Sequence, residues 1–284
     1  MKKNKFNPKL ERIAITCGDA GENHQGMKME GQLGNIGSGF NINDLNNIKD
    51  HLEELDINCE LIDLSNNLVN KEAAVLIIRN FINEELINDL YSELTSIKWD
   101  NKYYDTRRKK VLNKNARENL LFLRGKSQEP DYENKKGRIV DIYSLPIFNE
   151  LLDRIFSIIN DQTNGKAENL IAEGNRYLKQ KIINNKVKNV KHGIGWHGDA
   201  ERRKVICISI GGSSFPMYWQ WFYKNKPINN EPFEIFLNSG DIYIMSEEAV
   251  GTNWKYSSQY TMRHCAGHES FTRYKKEWIE YLNK

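Results

Sequence analysis

The chain has 284 residues, 41 Lys or Arg against 38 Asp or Glu for a formal net charge of +3, and 39% hydrophobic residues including six tryptophans. That length allows one large domain or two modest ones, the apolar content excludes a disordered chain, and the near balance of charge carries no argument for nucleic-acid binding by itself. No apolar run is long enough to span a bilayer, the start MKKNKFNPKLER lacks the apolar core of a signal peptide, and the four cysteines are far apart without a CxxC pair; an intracellular protein (cytoplasmic or nuclear) with reduced thiols and no membrane partner is expected.

In chain order, LERIAIT predicts a short strand and GDAGENHQGMKMEGQLGNIGSGF a polar, glycine-rich loop. INDLNNIKDHLEEL has helical spacing with Asn43 as its expected N-cap, and INCELIDL alternates like a second strand. Residues 1–70 thus read as a small N-terminal α/β unit of unassigned role, and residues 71–284 as the main domain. VLIIRNF opens that domain as a strand, and NEELINDLYSELTSIKW follows as an amphipathic helix with Leu86, Leu90, Leu94 and Ile97 on one face. Residues 101–138 carry twelve Lys or Arg against five Asp or Glu, more than the whole chain's excess of positive charge. LPIFNELLDRIFSIIN predicts another helix. From Asn169 on, ENLIAEGNRY, KVICISIG, PMYWQWFY, PFEIFLNSGDIYIM, QYTMRHC and SFTRYKK read as short strands with glycine turns, the pattern of a sandwich or barrel.

The stretch HGIGWHGDAERRKV places His197 and Asp199 two apart, where a strand end presents alternate side chains to one face. One nitrogen and one oxygen ligand suit Fe(II) if a second histidine completes a facial triad, leaving coordination positions open for a cosubstrate and O2. Of the six histidines, His264 and His268 are the distant candidates. His264 is favoured because it lies on the strand-like QYTMRHC, whereas His268 follows Ala-Gly in an expected turn. Nine residues after His264 comes Arg273, read as a strand residue able to form a bidentate ion pair with a dicarboxylate cosubstrate, with Lys275 in reserve. The bland alternative is a hydrogen-bonded turn without a metal.

These motifs resemble the AlkB-like Fe(II)/2-oxoglutarate-dependent dioxygenases. GNRY upstream of IGWHGD resembles the family's strand whose Asn and Tyr hydrogen-bond 2-oxoglutarate, which implies that role for Asn175 and Tyr177. ISIGGSSFPMYWQWF followed by LNSGDIYIM resembles the family's run from a strand through a ring-rich strand to a Gly-Asp turn, and VLIIRNFINEELINDLYSEL resembles its opening strand and helix. The RxNxTxR pattern after the last histidine is missing, and extra sequence separates Asp241 from His264. The resemblance covers about residues 75 to 275. It implies an α+β fold, a distorted double-stranded β-helix (jelly roll) with flanking helices, preceded by the N-terminal unit. It also implies bound Fe(II) and 2-oxoglutarate that react with O2 to hydroxylate or oxidatively demethylate a nucleobase in nucleic acid or a nucleotide.

The basic segment occupies the position of the family's nucleotide-recognition lid. There Arg107, Arg108, Arg117 and Asn119 are candidate substrate contacts, with Tyr103, Tyr104 and Phe122 as stacking platforms; a solvated charged face is the alternative. MYWQWFY reads as core rather than as a base platform, and MSEEAVGTNW as a second lid segment near the metal. Two other functions stay open: a 2-oxoglutarate oxygenase acting on a protein side chain or small molecule, and a non-catalytic β-sandwich binding module, including a zinc-stabilised one.

Overall fold

The computed structural model describes residues 11–178, 180–183, 186–212 and 214–283. Its strands are β1 (Glu11–Gly18), β2 (Ala20–Glu22), β3 (Met29–Gly31), β4 (Cys59–Asp63), β5 (Ala74–Ile78), β6 (Lys102–Asp105), β7 (Lys110–Asn113), β8 (Glu118–Leu123), β9 (Ile139–Asp141), β10 (Ile171–Leu178), β11 (Gln180–Ile183), β12 (Lys186–Asn189), β13 (Gly193–His197), β14 (Val205–Gly211), β15 (Phe215–Tyr223), β16 (Lys226–Pro227), β17 (Phe233–Leu237), β18 (Ile242–Met245) and β19 (Thr261–Gly267). The helices are α1 (Ile42–Glu54), α2 (Glu84–Ser96), α3 (Pro146–Thr163) and three short ones, α4 (Glu247–Val250), α5 (Glu269–Thr272) and α6 (Lys276–Leu282). The fold is mixed α/β and rich in strands.

An eight-stranded sheet runs in the order β4-β5-β18-β14-β1-β10-β8-β9, and a second sheet runs β13-β19-β15, with β16 and β17 both pairing β15. The central strands β5, β14 and β18 of the large sheet are largely apolar on both faces because both are covered. Ile13, Ile15 and Cys17 of β1, Ile206, Ile208 and Ile210 of β14, and Ile242 and Ile244 of β18 pack against α1, α2 and α3. The alternate residues, among them Val75, Ile77, Cys207, Tyr243 and Met245, face the second sheet and its Trp219 and Trp221. Burying a side chain the size of Ile13 or Ile15 completely stabilises the fold by roughly 1.5–3 kcal/mol, so these period-2 patterns fix which way each strand faces.

Residues 11–64 are not a strand–helix–strand unit set apart from the rest. β1 lies between β14 and β10, and β4 pairs with β5, so both strands belong to one sheet with residues 74–245. The cap of α1 is Asn41, not Asn43: the Asn41 side chain accepts from the Asp44 amide at 2.9 Å while the Asp44 carboxylate accepts from the Asn41 amide at 2.7 Å. That reciprocal pair satisfies two donors at once, which Asn43, already inside the first turn, cannot do. SFTRYKK is not a strand either; the chain leaves β19 into α5 and then α6. Among the described residues, no helix is long and apolar enough to cross a membrane.

Candidate metal centre

β13 and β19 are antiparallel neighbours, and their register sets His197 directly opposite His264, with ring centroids 4.5 Å apart. Asp199 stands just beyond the end of β13, its amide donating to the Val250 carbonyl at 3.1 Å. This brings Asp199 Oδ1 to 3.5 Å from His197 Nε2 and 3.7 Å from His264 Nε2. One ligand atom from each of the three side chains falls within 4.8 Å of the others. Two close backbone approaches make this possible: Gly198 packs against the Gly251 carbonyl, and Gly251 (φ +69°) against that of Met262.

The donor set fits a divalent transition metal. His197 Nδ1 lies 2.7 Å from the Gly195 carbonyl and 3.1 Å from the His264 carbonyl. It therefore carries the proton and donates it, which leaves the Nε2 lone pair facing Asp199. Burial, reinforced by the neighbouring His264, lowers the His197 pKa to about 4, so the ring is neutral and ligand-competent at pH 7. Burial raises the Asp199 pKa, but the hydrogen bond with His264 and the cation of Arg202 outweigh it and hold the carboxylate ionised. His268 is not part of the cluster. It caps α5, its Nδ1 accepting from the Ser270 amide at 3.0 Å.

The triad sits in a cleft of about 1620 Å³ between the two sheets, which is large enough for a cosubstrate and a substrate side by side. Asn175 and Tyr177 line it from β10, and Tyr177 is buried, which raises its hydroxyl pKa and keeps it a donor. Arg117 lines the cleft as well. Asn119 does not: it is 1% exposed, its amide committed to the Asn23 carbonyl and its oxygen to Lys114. Arg107 and Arg108 are exposed in the turn between β6 and β7, outside the cleft lining. Phe122 is 0% exposed and packs edge-on against Trp99 and Phe148, so it is core and offers no platform. Arg273 reaches the rim of the cleft but is exposed and ends α5, where the expected strand is absent.

No family model matches the sequence. An uncharacterized protein of Acanthamoeba polyphaga mimivirus is 37% identical over 270 residues, an alignment that covers 93% of this chain and 98% of the relative. The chain belongs to the family of that viral protein. Several cleft residues of this family member carry little mark in the sequence. Glu201, two residues beyond Asp199, lines the cleft, and burial pushes its pKa up to about 7 against the opposing charge of Arg202. Its one signal is its place in the polar turn HGDAERR. Arg12, Glu22 and His24 come from the N-terminal segment, and nothing local in their sequence points to the cleft. The glycine-rich loop that carries Glu22 and His24 and the segment that carries Trp254 border the same cleft, as a covering loop and a lid segment would.

Proposed function

We propose that the protein is an AlkB-like Fe(II)- and 2-oxoglutarate-dependent dioxygenase that hydroxylates or oxidatively demethylates a nucleobase in nucleic acid or a nucleotide. The two facing sheets are then a distorted double-stranded β-helix. The observation that carries this reading is the convergence of His197, Asp199 and His264 at a cleft large enough for two ligands. Two imidazoles and a carboxylate on one side leave the other coordination positions open, the arrangement of non-haem iron oxygenases rather than of closed structural zinc sites.

Iron with 2-oxoglutarate and O2 would supply the oxidising power, with CO2 and succinate as by-products. The chain's own residues bind, orient and shield. The hydrogen bond from His197 Nδ1 to the Gly195 carbonyl fixes the ring so that Nε2 faces the metal position. Asn175 and Tyr177 are the neutral donors for the cosubstrate. Trp254 and the loop bearing His24 wall the cleft and limit water.

The nucleic-acid part of the reading rests on the basic hairpin. Tyr103 of β6 stacks on His24 at 3.7 Å, so the β6–β7 turn with Arg107 and Arg108 rides on a loop that lines the cleft. Exposed guanidinium groups so held suit phosphates beside a base in the cleft.

Anaerobic addition of Fe(II) and 2-oxoglutarate tests the reaction class through the charge-transfer absorption of a chelated keto acid. The band should appear in the wild type, vanish in His197→Ala and His264→Ala, and survive in His268→Ala. Absence of the band in the wild type sinks the oxygenase reading and leaves a binding module in its place. Succinate release should then require a methylated oligonucleotide, and replacing Arg107 and Arg108 together should weaken oligonucleotide binding and flatten its salt dependence.

A further inference from the structure

The order in which the chain visits the two sheets leaves one slot to be filled from elsewhere. From β10 onward the chain passes from the large sheet to the second sheet (β13), back to the large (β14), to the second (β15 and β17), to the large (β18) and to the second (β19). The alternation calls next for a strand in the large sheet. Instead the chain runs into α5 and α6. The position between β14 and β10 is held by β1, which pairs antiparallel with both and comes from the opposite end of the described chain.

β1 alternates as such a strand must. Ile13, Ile15 and Cys17 face the helices, whereas Arg12, Ala14 and Thr16 line the cleft. In the ladder Arg12 is paired with Tyr177 and Ala14 with Asn175, the two residues assigned to the cosubstrate. Arg12 is only 3% exposed. Its Nη1 donates to the Ser209 hydroxyl, its Nη2 to the Leu237 carbonyl at 3.0 Å, and its guanidinium lies 5.0 Å from the centre of the Phe215 ring. Burial lowers the Arg12 pKa to about 10, only partly opposed by Cys207 and Asp241, and the guanidinium remains a cation at neutral pH. A guanidinium held this way inside a cleft is a preset anchor for a carboxylate.

We propose that Arg12 is the residue that binds the distal carboxylate of the dicarboxylate cosubstrate, the part that sequence spacing assigns to Arg273. This rests on the oxygenase reading above. β1 thereby completes the sheet and supplies the cosubstrate's ion pair, and selectivity for a dicarboxylic keto acid resides in the N-terminal segment.

The test compares two keto acids on the full chain loaded anaerobically with Fe(II): 2-oxoglutarate, and 2-oxopentanoate, which lacks the distal carboxylate. Affinities are read from the charge-transfer band or by calorimetry. The wild type should bind 2-oxoglutarate about 10–100-fold more tightly, the range expected of one charged hydrogen-bonded pair. Arg12→Met should bring the two affinities together while the affinity for Fe(II) alone stays unchanged. Arg273→Met should keep the full preference. Should Arg12→Met fail to fold, Arg12→Lys keeps the charge without the fork and should lose most of the preference. Retained preference in the Arg12 variants, or its loss in Arg273→Met, overturns the assignment. A wild type that chelates both keto acids equally overturns it too, with the oxygenase reading intact. A wild type that chelates neither removes that reading and the assignment with it.

Discussion

Gly198 is one of the two tightest points beside the cluster of His197, Asp199 and His264. A Cβ there would lie 2.2 Å from the Gly251 carbonyl oxygen and 2.9 Å from the Trp254 Cβ, so backbone rather than a flexible side chain would have to yield. Gly198→Ala should push Asp199 off its position, costing about 1–3 kcal/mol in stability as overpacking does and roughly 10-fold or more in metal affinity. Gly195→Ala, whose nearest atom would be 3.7 Å away, serves as the control and should leave both nearly unchanged. Calorimetric titration with Fe(II) or Mn(II) and urea melts of the two variants check this. Equal effects in both would remove the packing argument. At this scale the sequence disclosed much of the cluster: HxD spacing singled out His197 and Asp199, and a strand-like run separated His264 from the turn residue His268. Arg12 was beyond its reach, because a residue so far before His197 in the chain has no local mark of its place in the cleft. The fate of Arg273 was hidden too, because counting nine residues assumes a path the chain does not take.

At the scale of elements, the turn after β13 is tied to the N-terminal segment and to β10 by one buried side chain. Arg202 Nη2 lies 2.5 Å from Glu173 Oε2, with side chains 5% and 7% exposed, and Arg202 Nε donates to the Ala20 carbonyl at 2.7 Å. Removing the cation strands a buried carboxylate, which costs far more than the pair itself contributes. Arg202→Met should therefore lower stability by about 3–5 kcal/mol, and Arg202→Met with Glu173→Gln should recover a good part of it. Urea denaturation of both variants measures this, and a double variant no more stable than the single one would contradict the account. The helices were legible because α2 and α3 bury one stripe each, with Ile87, Leu90, Tyr91 and Leu94 inward on α2. The cap of α1 was misplaced by two residues because Asn41 and Asn43 are alike in composition, and only backbone geometry separates them. SFTRYKK alternates weakly, and its α5 is held in place by a non-local bond from Trp196 Nε1 to the Thr272 carbonyl at 2.8 Å.

For the whole molecule, the decisive fact is that the first strand among the described residues is an interior strand of the large sheet. LERIAIT could be read as a strand, but its partners lie some 150 to 200 residues further on, and periodicity carries no information about pairing at that distance. A division at residue 70 would strip β1 from both neighbours, expose the ladders of β10 and β14, and remove Ile13, Ile15 and Cys17 from the core along with the whole of α1. The loss includes several fully buried aliphatic side chains at roughly 1.5–3 kcal/mol each, which exceeds the 5–15 kcal/mol by which a typical domain is stable once α1's contribution is added. A fragment of residues 71–284 should accordingly show no cooperative thermal transition and should bind hydrophobic dye. Co-expression with residues 1–70 should restore the transition, because the missing strand needs only its own register to re-enter the gap. A fragment that melts cooperatively on its own, with full-length affinity for the metal, would mean that the sheet closes without β1 and that the N-terminal segment is an addition to the fold rather than part of its frame.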